Sequence, residues 1–230
     1  MKPPFTGAKT LIDMDLEKVF RLIDTHMLFV GQWQFKRTKE SETAYQKLLK
    51  NKAWPAFEEW KKRCIDEKIL EPKIAYGYFK SAEVLKCLSV EVEKLKRPQQ
   101  QTSTLLHSYT PTLVPLQIVT VGSKVAEKCQ WLFASHKYTD YLYLHGLAVA
   151  TAEALAEYSH RNILNELGVE FNLNKKLPAM SRVSPGYPVW PNLKDQRELH
   201  KLLDAEKIGV SITETYQLVP EYSTSAMIIL

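Results

Sequence analysis

A chain of 230 residues has room for one domain or two small ones with a substantial core, and 45% hydrophobic with 25% charged residues excludes wholesale disorder. Lys+Arg 31 against Asp+Glu 26 leaves a charge of +5 spread along the chain, which excludes the basic stripe of a nucleic-acid binder and the tail of a membrane-surface protein. Cys64, Cys87 and Cys129 are odd in number and far apart, so neither a disulfide framework nor a cysteine metal site is expected, and a reducing cytoplasm suits them. The opening Met1-Lys2-Pro3-Pro4 does not lead into an apolar segment, so no signal peptide is expected. The longest apolar run, residues 141–155, holds His145 and Glu153 and is too short and polar to span a bilayer.

In chain order, Leu16, Val19, Phe20, Ile23, Met27 and Val30 fall on one face of a helix predicted over residues 11–30, with Asp24 beside that stripe. A second helical region is predicted over 41–68, broken or sharply bent at Pro55. Residues 74–79 and the alternating run 84–92 read as a β-hairpin, which puts Cys87 in the core. Residues 96–112, polar and glutamine-rich, read as a flexible loop. A buried strand follows at 114–121, then a helix to about 133 with Ser123 as its N-cap. The helix predicted over 140–167 is unusually small-sided, carrying Gly146, Ala148, Ala150, Ala152, Ala154 and Ala156. A proline-rich loop spans 182–191. Asp195 and Glu198 then stand at capping-box spacing before a helix edged by Leu199, Leu202 and Leu203 and closed by Gly209. Strands are predicted over 210–219 and 223–230. Helices and hairpin-linked strands without regular βαβ alternation give the α+β class, with a mainly antiparallel twisted sheet and packed helices. One domain is expected over 1–230, helical over about 11–68 and carrying the sheet and loop over about 72–230.

The eight glycines are too scattered for a dinucleotide fingerprint or a P-loop, and neither H-E-x-x-H nor G-x-S-x-G occurs. Asp24-Thr25-His26 begins like the cobalamin-ligating D-x-H-x-x-G, but Phe29 occupies the glycine position and His26 reads as a surface histidine. Lys62-Arg63 precede Cys64, whose thiol is nonetheless read as ordinary.

Three features invite a ligand. In Arg182-Val183-Ser184-Pro185-Gly186-Tyr187-Pro188-Val189-Trp190-Pro191 each residue before a proline is held extended, and Pro185-Gly186 suits a type II turn. Such a loop is ordered before a ligand arrives and sets the backbone of Gly186, Tyr187 and Val189 beside a guanidinium able to grip a carboxylate. The alternative is a rigid connection with Tyr187 and Trp190 packed inward. Glu153 shares a helix face with Gly146, Ala150 and Glu157; the alternative is an exposed acid, with Glu157 paired to His160 or Arg161. Asp24 is either a ligand acid or a helix-surface one.

Together, Arg182-Val-Ser-Pro-Gly-Tyr-Pro188, the segments Leu202 to Gly209 and Ile212 to Thr215, Ala152 to Tyr158, Ile23 to Thr25 and Ile74 to Phe79 resemble the reactivation domain of cobalamin (vitamin B12)-dependent methionine synthase. The resemblance touches nearly the whole chain and is most specific from Glu153 to Thr215. It implies a module that binds S-adenosylmethionine and supports reductive methylation of cob(II)alamin to methylcobalamin. The cobalamin would be carried by a partner protein or by other methionine synthase modules, and the electron would come from a flavodoxin- or ferredoxin-type donor. It further implies ligand contacts at Asp24, Glu153 and Arg182 and from the loop at Gly186, Tyr187 and Val189. None of these is a catalytic acid or base, and no metal ligand is implied. The family's C-terminal continuation is not matched within these 230 residues, and residues 93–112 look abbreviated. The alternative is an interaction subunit of a corrinoid methyltransferase that keeps the fold without the ligand.

Overall fold

The computed structural model describes residues 2–39, 41–89, 113–171 and 182–229. Its centre is a five-stranded antiparallel sheet of spatial order β1-β2-β3-β7-β4: β1 Gly7–Leu11, β2 Lys73–Lys80, β3 Leu113–Thr120, β7 Ser223–Ile228 and the two-residue edge strand β4 Arg182–Val183. Side chains alternate across this sheet and so divide the core in two. Ile74, Tyr76, Tyr78, Val119 and Ile228 face one layer, together with Leu144, Leu147 and Leu155 of the long helix α6 Tyr138–Glu166. Ala75, Leu116, Ile118, Val183 and Met227 face the other, with Trp190 and with Leu199 and Leu203 at helix α7 Gln196–Leu202. Helices on one face and helix with loop on the other make the predicted α+β arrangement, and the predicted strand at 114–121 and helix at 140–167 are present as β3 and α6.

α6 packs closely because its inner face is small. Gly146 lies against Trp33, where an added Cβ would stand 2.7 Å from Trp33 Cδ1, and the indole donates to the Tyr143 carbonyl at 3.1 Å. Deeper along the helix, Gln117 Nε2 donates to the Ala156 carbonyl at 3.2 Å.

Several expectations are corrected. The first helix is not continuous: α1 is Leu16–Phe20, and after a turn a wider, π-type helix covers Met27–Gln32. Asp24 breaks the run by accepting from the Met27 amide at 3.0 Å, the short-side-chain competition that favours caps over helix interiors. Pro55 leaves no gap in the helical region: α2 Glu42–Leu48 passes through a π-type segment, Leu49–Ala53, into α3 Trp54–Asp66, with the proline in the first turn of α3. The hairpin over 74–92 is absent: β2 is followed by helix α4 Ser81–Cys87 and pairs instead with β1 and β3. Val84 and Leu88 are both buried at a spacing of four, which satisfies alternation and a helical turn alike. Cys87 consequently lies exposed rather than in the core. Ser123 stands at the N-cap of α5 Lys124–Ala134, but its hydroxyl makes no capping bond. Asp195 does not cap α7 with its side chain either. That helix stops at Leu202, and the left-handed Gly209 ends a later 3-10 turn, Ala205–Ile208. The strand predicted over 210–219 is reduced to a small hairpin, β5 Ser211–Ile212 with β6 Leu218–Val219. The loop predicted at 96–112 lies outside the described residues.

Candidate functional site

Register places the arginine. Arg182 pairs with Ile228 and Val183 with Met227. The alternation that buries Val183 in the α7 layer therefore turns Arg182 to the α6 side. There its Nη1 stands 3.4 Å from Glu157 Oε2 and its Nη2 3.8 Å from Glu153 Oε2. The two acids sit one turn apart on α6, and their environments differ. Glu157 is 13% exposed and also takes Arg161 Nε at 2.9 Å, whereas Glu153 is 66% exposed and holds Arg182 only loosely. Arg182 Nη1 is buried and, for all its closeness to Glu157, has no hydrogen-bond partner among the described residues.

His160, on the next turn, is also buried with neither ring nitrogen hydrogen-bonded among the described residues. Burial holds its pKa down to about 3, and the neighbouring Arg182 and Arg161 charges push the same way, so the imidazole stays neutral. Gln117 Oε1 and Ser159 Oγ are further buried polar atoms without partners among the described residues.

Beyond β4 the chain enters the proline-rich turn. Gly186 has φ +89, the left-handed backbone that the type II turn needs, and an added Cβ there would also stand 3.2 Å from Leu193 Cδ1. The turn is fastened by Gly186 N–H to the Trp190 carbonyl and Trp190 N–H to the Tyr187 carbonyl, each at 2.8 Å. Ser184 Oγ adds a bond to the Ser225 carbonyl at 2.6 Å. Trp190 is fully buried while Tyr187 is 66% exposed, so of the two aromatics only the tryptophan is an anchor. The backbone of Val189 enters none of the hydrogen bonds among the described residues.

Arg182 and Glu153 are thus brought together, with Gly186, Tyr187 and Val189 on the turn that continues from the same strand. Asp24 serves its own turn between α1 and the π-type helix, both of which pack on α6. The sequence reading took Glu157 for a partner of His160 or Arg161; it does bind Arg161, and it is also the inner partner of Arg182. It missed Asp195, whose buried carboxylate gathers donors from Trp190 and Asn192 just before it and from the distant Ser89 rather than capping a helix. An open depression of about 500 Å³ lined by Asn165, Gly168, Val169, Glu170 and Phe171 lies elsewhere, twelve residues past Glu153 on α6, about 18 Å along that axis. The described residues hold no cluster of His, Cys, Asp and Glu suited to a metal ion, and no helix among them is long and apolar enough to cross a membrane.

An edge-strand arginine held against two acids of a small-sided helix, and leading into a glycine-pivoted turn on an antiparallel sheet, marks an α+β module with a candidate ligand site. Residues 106–230 match the family model described as vitamin B12 dependent methionine synthase, activation domain. Methionine synthase of Mycobacterium tuberculosis is 30% identical over 266 aligned positions covering 99% of this chain, and that of Mycobacterium leprae is likewise 30% identical. The chain spans only 22% of each relative's length. Among solved structures, the MetH reactivation domain bound to AdoHcy superposes with a TM-score of 0.74 at 18% identity, over 99% of this chain and 79% of that one. The chain belongs to the vitamin B12-dependent methionine synthase activation-domain family.

Proposed function

We propose that this chain binds S-adenosylmethionine beside Arg182 and the turn at residues 184–190, and presents its methyl group for reactivation of a cobalamin-dependent methionine synthase. The observation that carries the site is the Arg182 guanidinium: largely buried, loosely paired, and with an Nη1 hydrogen that no described acceptor takes. A free amino acid's carboxylate supplies the planar acceptor this fork lacks. Glu153, exposed at the rim, and Asp24, which also accepts the Met27 amide, are the acids assigned to an ammonium or to ribose hydroxyls. Gly186, Tyr187 and Val189 line the approach with backbone, the last with its amide and carbonyl uncommitted. That a family structure was solved with AdoHcy, the demethylated form of the same ligand, supports this reading.

The chemistry asked of the protein is positioning. S-adenosylmethionine brings its own activated methyl, and no side chain here has to donate or remove a proton. Arg182 and the turn hold the amino-acid end still so that the methyl faces one direction, which is where a bound geometry contributes most of its rate effect. Cob(II)alamin, the substrate, would arrive on other methionine synthase modules or a partner protein; one electron from a flavodoxin- or ferredoxin-type donor and the methyl of S-adenosylmethionine would give methylcobalamin, with S-adenosylhomocysteine leaving as the sulfonium C–S bond breaks. Calorimetric titration of the purified chain with S-adenosylmethionine, with methionine as control, tests the site. Saturable binding is expected. A folded chain that binds nothing overturns this reading and favours a docking module without a ligand.

A further inference from the structure

Asp195 ties the residues just before it to Ser89, 106 positions away in sequence. Its Oδ2 accepts Trp190 Nε1 at 2.7 Å, the Ser89 amide at 2.7 Å and Ser89 Oγ at 2.7 Å, while Oδ1 accepts Asn192 Nδ2 at 2.8 Å. Asn192 Nδ2 closes the ring by also donating to Ser89 Oγ at 2.7 Å. The carboxylate is 5% exposed, and Trp190 is wholly buried in the α7-side core. A buried charge is tolerated only when such donors surround it, and each charge-assisted bond is stronger than its neutral counterpart. The four donors do not serve a helix end, because Asp195 has helical backbone and no capping bond. One of them is the indole of the residue that closes the turn: Trp190 receives Gly186 N–H on its carbonyl and gives its own N–H to Tyr187. Fixing the indole therefore fixes both backbone bonds of the turn.

We infer that Asp195 is the positioning residue of the ligand turn, holding residues 186–190 in their binding conformation through the Trp190 indole. The inference rests on the reading of that turn as part of the S-adenosylmethionine site. Its mechanism is preorganisation: a turn that is already ordered spares the ligand the cost of ordering it. Ser89 supplies the comparison, since its hydroxyl donates to the same oxygen from the α4 side without touching the turn.

The test uses the full chain and its Asp195→Asn, Trp190→Phe and Ser89→Ala variants. Each is read by amide hydrogen exchange without ligand and by S-adenosylmethionine titration. Asp195→Asn keeps the shape and loses the charge; Trp190→Phe removes only the indole donor and some volume. Both are expected to speed exchange at the Gly186 and Trp190 amides at least tenfold relative to α6, and to weaken binding by about five- to tenfold, in line with the net contribution of one ordinary hydrogen bond acting through the turn. Ser89→Ala is expected to lower the melting temperature while leaving both quantities within about twofold. Unchanged exchange at Gly186 and Trp190 in Asp195→Asn and Trp190→Phe overturns the inference. An equal effect from Ser89→Ala also overturns it, since the network would then be a matter of general stability. Failure of the unsubstituted chain to bind overturns the functional reading alone, because the exchange measurement still decides whether Asp195 holds the turn.

Discussion

Arg182→Ala separates the ligand site from the fold. In the folded chain the guanidinium lies 3.8 Å from Glu153 and 3.4 Å from Glu157. Glu153 is 66% exposed, so its pair contributes at most about 1 kcal/mol. Glu157 retains Arg161 at 2.9 Å and is not left as an unpaired buried charge when Arg182 goes. With the aliphatic stem's packing included, the fold should lose about 1–2 kcal/mol. The ligand loses more. A hydrogen-bonded contact between charged groups contributes about 1.5–3 kcal/mol, which is roughly ten- to 150-fold in Kd. Calorimetry on the Ala variant, with circular dichroism to show that it is folded, should find that loss. Arg182→Lys should fall between, since it keeps the charge without the fork. A folded Ala variant that binds S-adenosylmethionine within about threefold of the unsubstituted chain would refute the assignment of Arg182 to a ligand carboxylate.

Gly146→Ala forces a Cβ to 2.7 Å from Trp33 Cδ1 and 2.8 Å from Gln32 Cβ. Overpacking of that kind costs about 1–3 kcal/mol, a drop of about 3–10 °C in a thermal melt; an unchanged melt would show that the Trp33 contact yields freely. His160 gives a pH dependence of known sign. Above pH 6.5 neither state binds its proton, whereas below it the unfolded chain takes up a proton that the folded chain refuses until about pH 3. Stability should therefore fall as pH falls through that window, and His160→Gln should flatten the fall in denaturant titrations. Thiol reactivity should follow burial: Cys64, pushed up to about 12 by desolvation that outweighs Arg63, and the buried Cys129 should resist alkylation at pH 8. Mass spectrometry should find label on the exposed Cys87 alone in the native chain and on all three after denaturation.

What the sequence determined by itself was local. The long period of residues 138–166 and the continuous apolar run at 113–120 each satisfy one kind of element over enough residues to leave no rival. The turn at Pro185-Gly186 was legible because steric restriction acts within a residue or two, and φ +89 at Gly186 is its result. The resemblance carried the family and the candidate residues, since it joins Asp24, Glu153 and Arg182 across distances that periodicity cannot bridge. The tertiary structure decided the rest. Val84 and Leu88 fit a strand or a helix equally, and the choice fell to helix because β2 found its partners in β1 and β3, far away in sequence. Asp195 offered a capping spacing to the reader of the sequence, yet it stands within reach of Trp190 and Ser89, and a carboxylate shielded from water goes to the strongest donors it meets. Arg182 met Glu157 because strand register turned it toward α6. Register is set by the core on both faces of a sheet, which no short stretch of sequence contains.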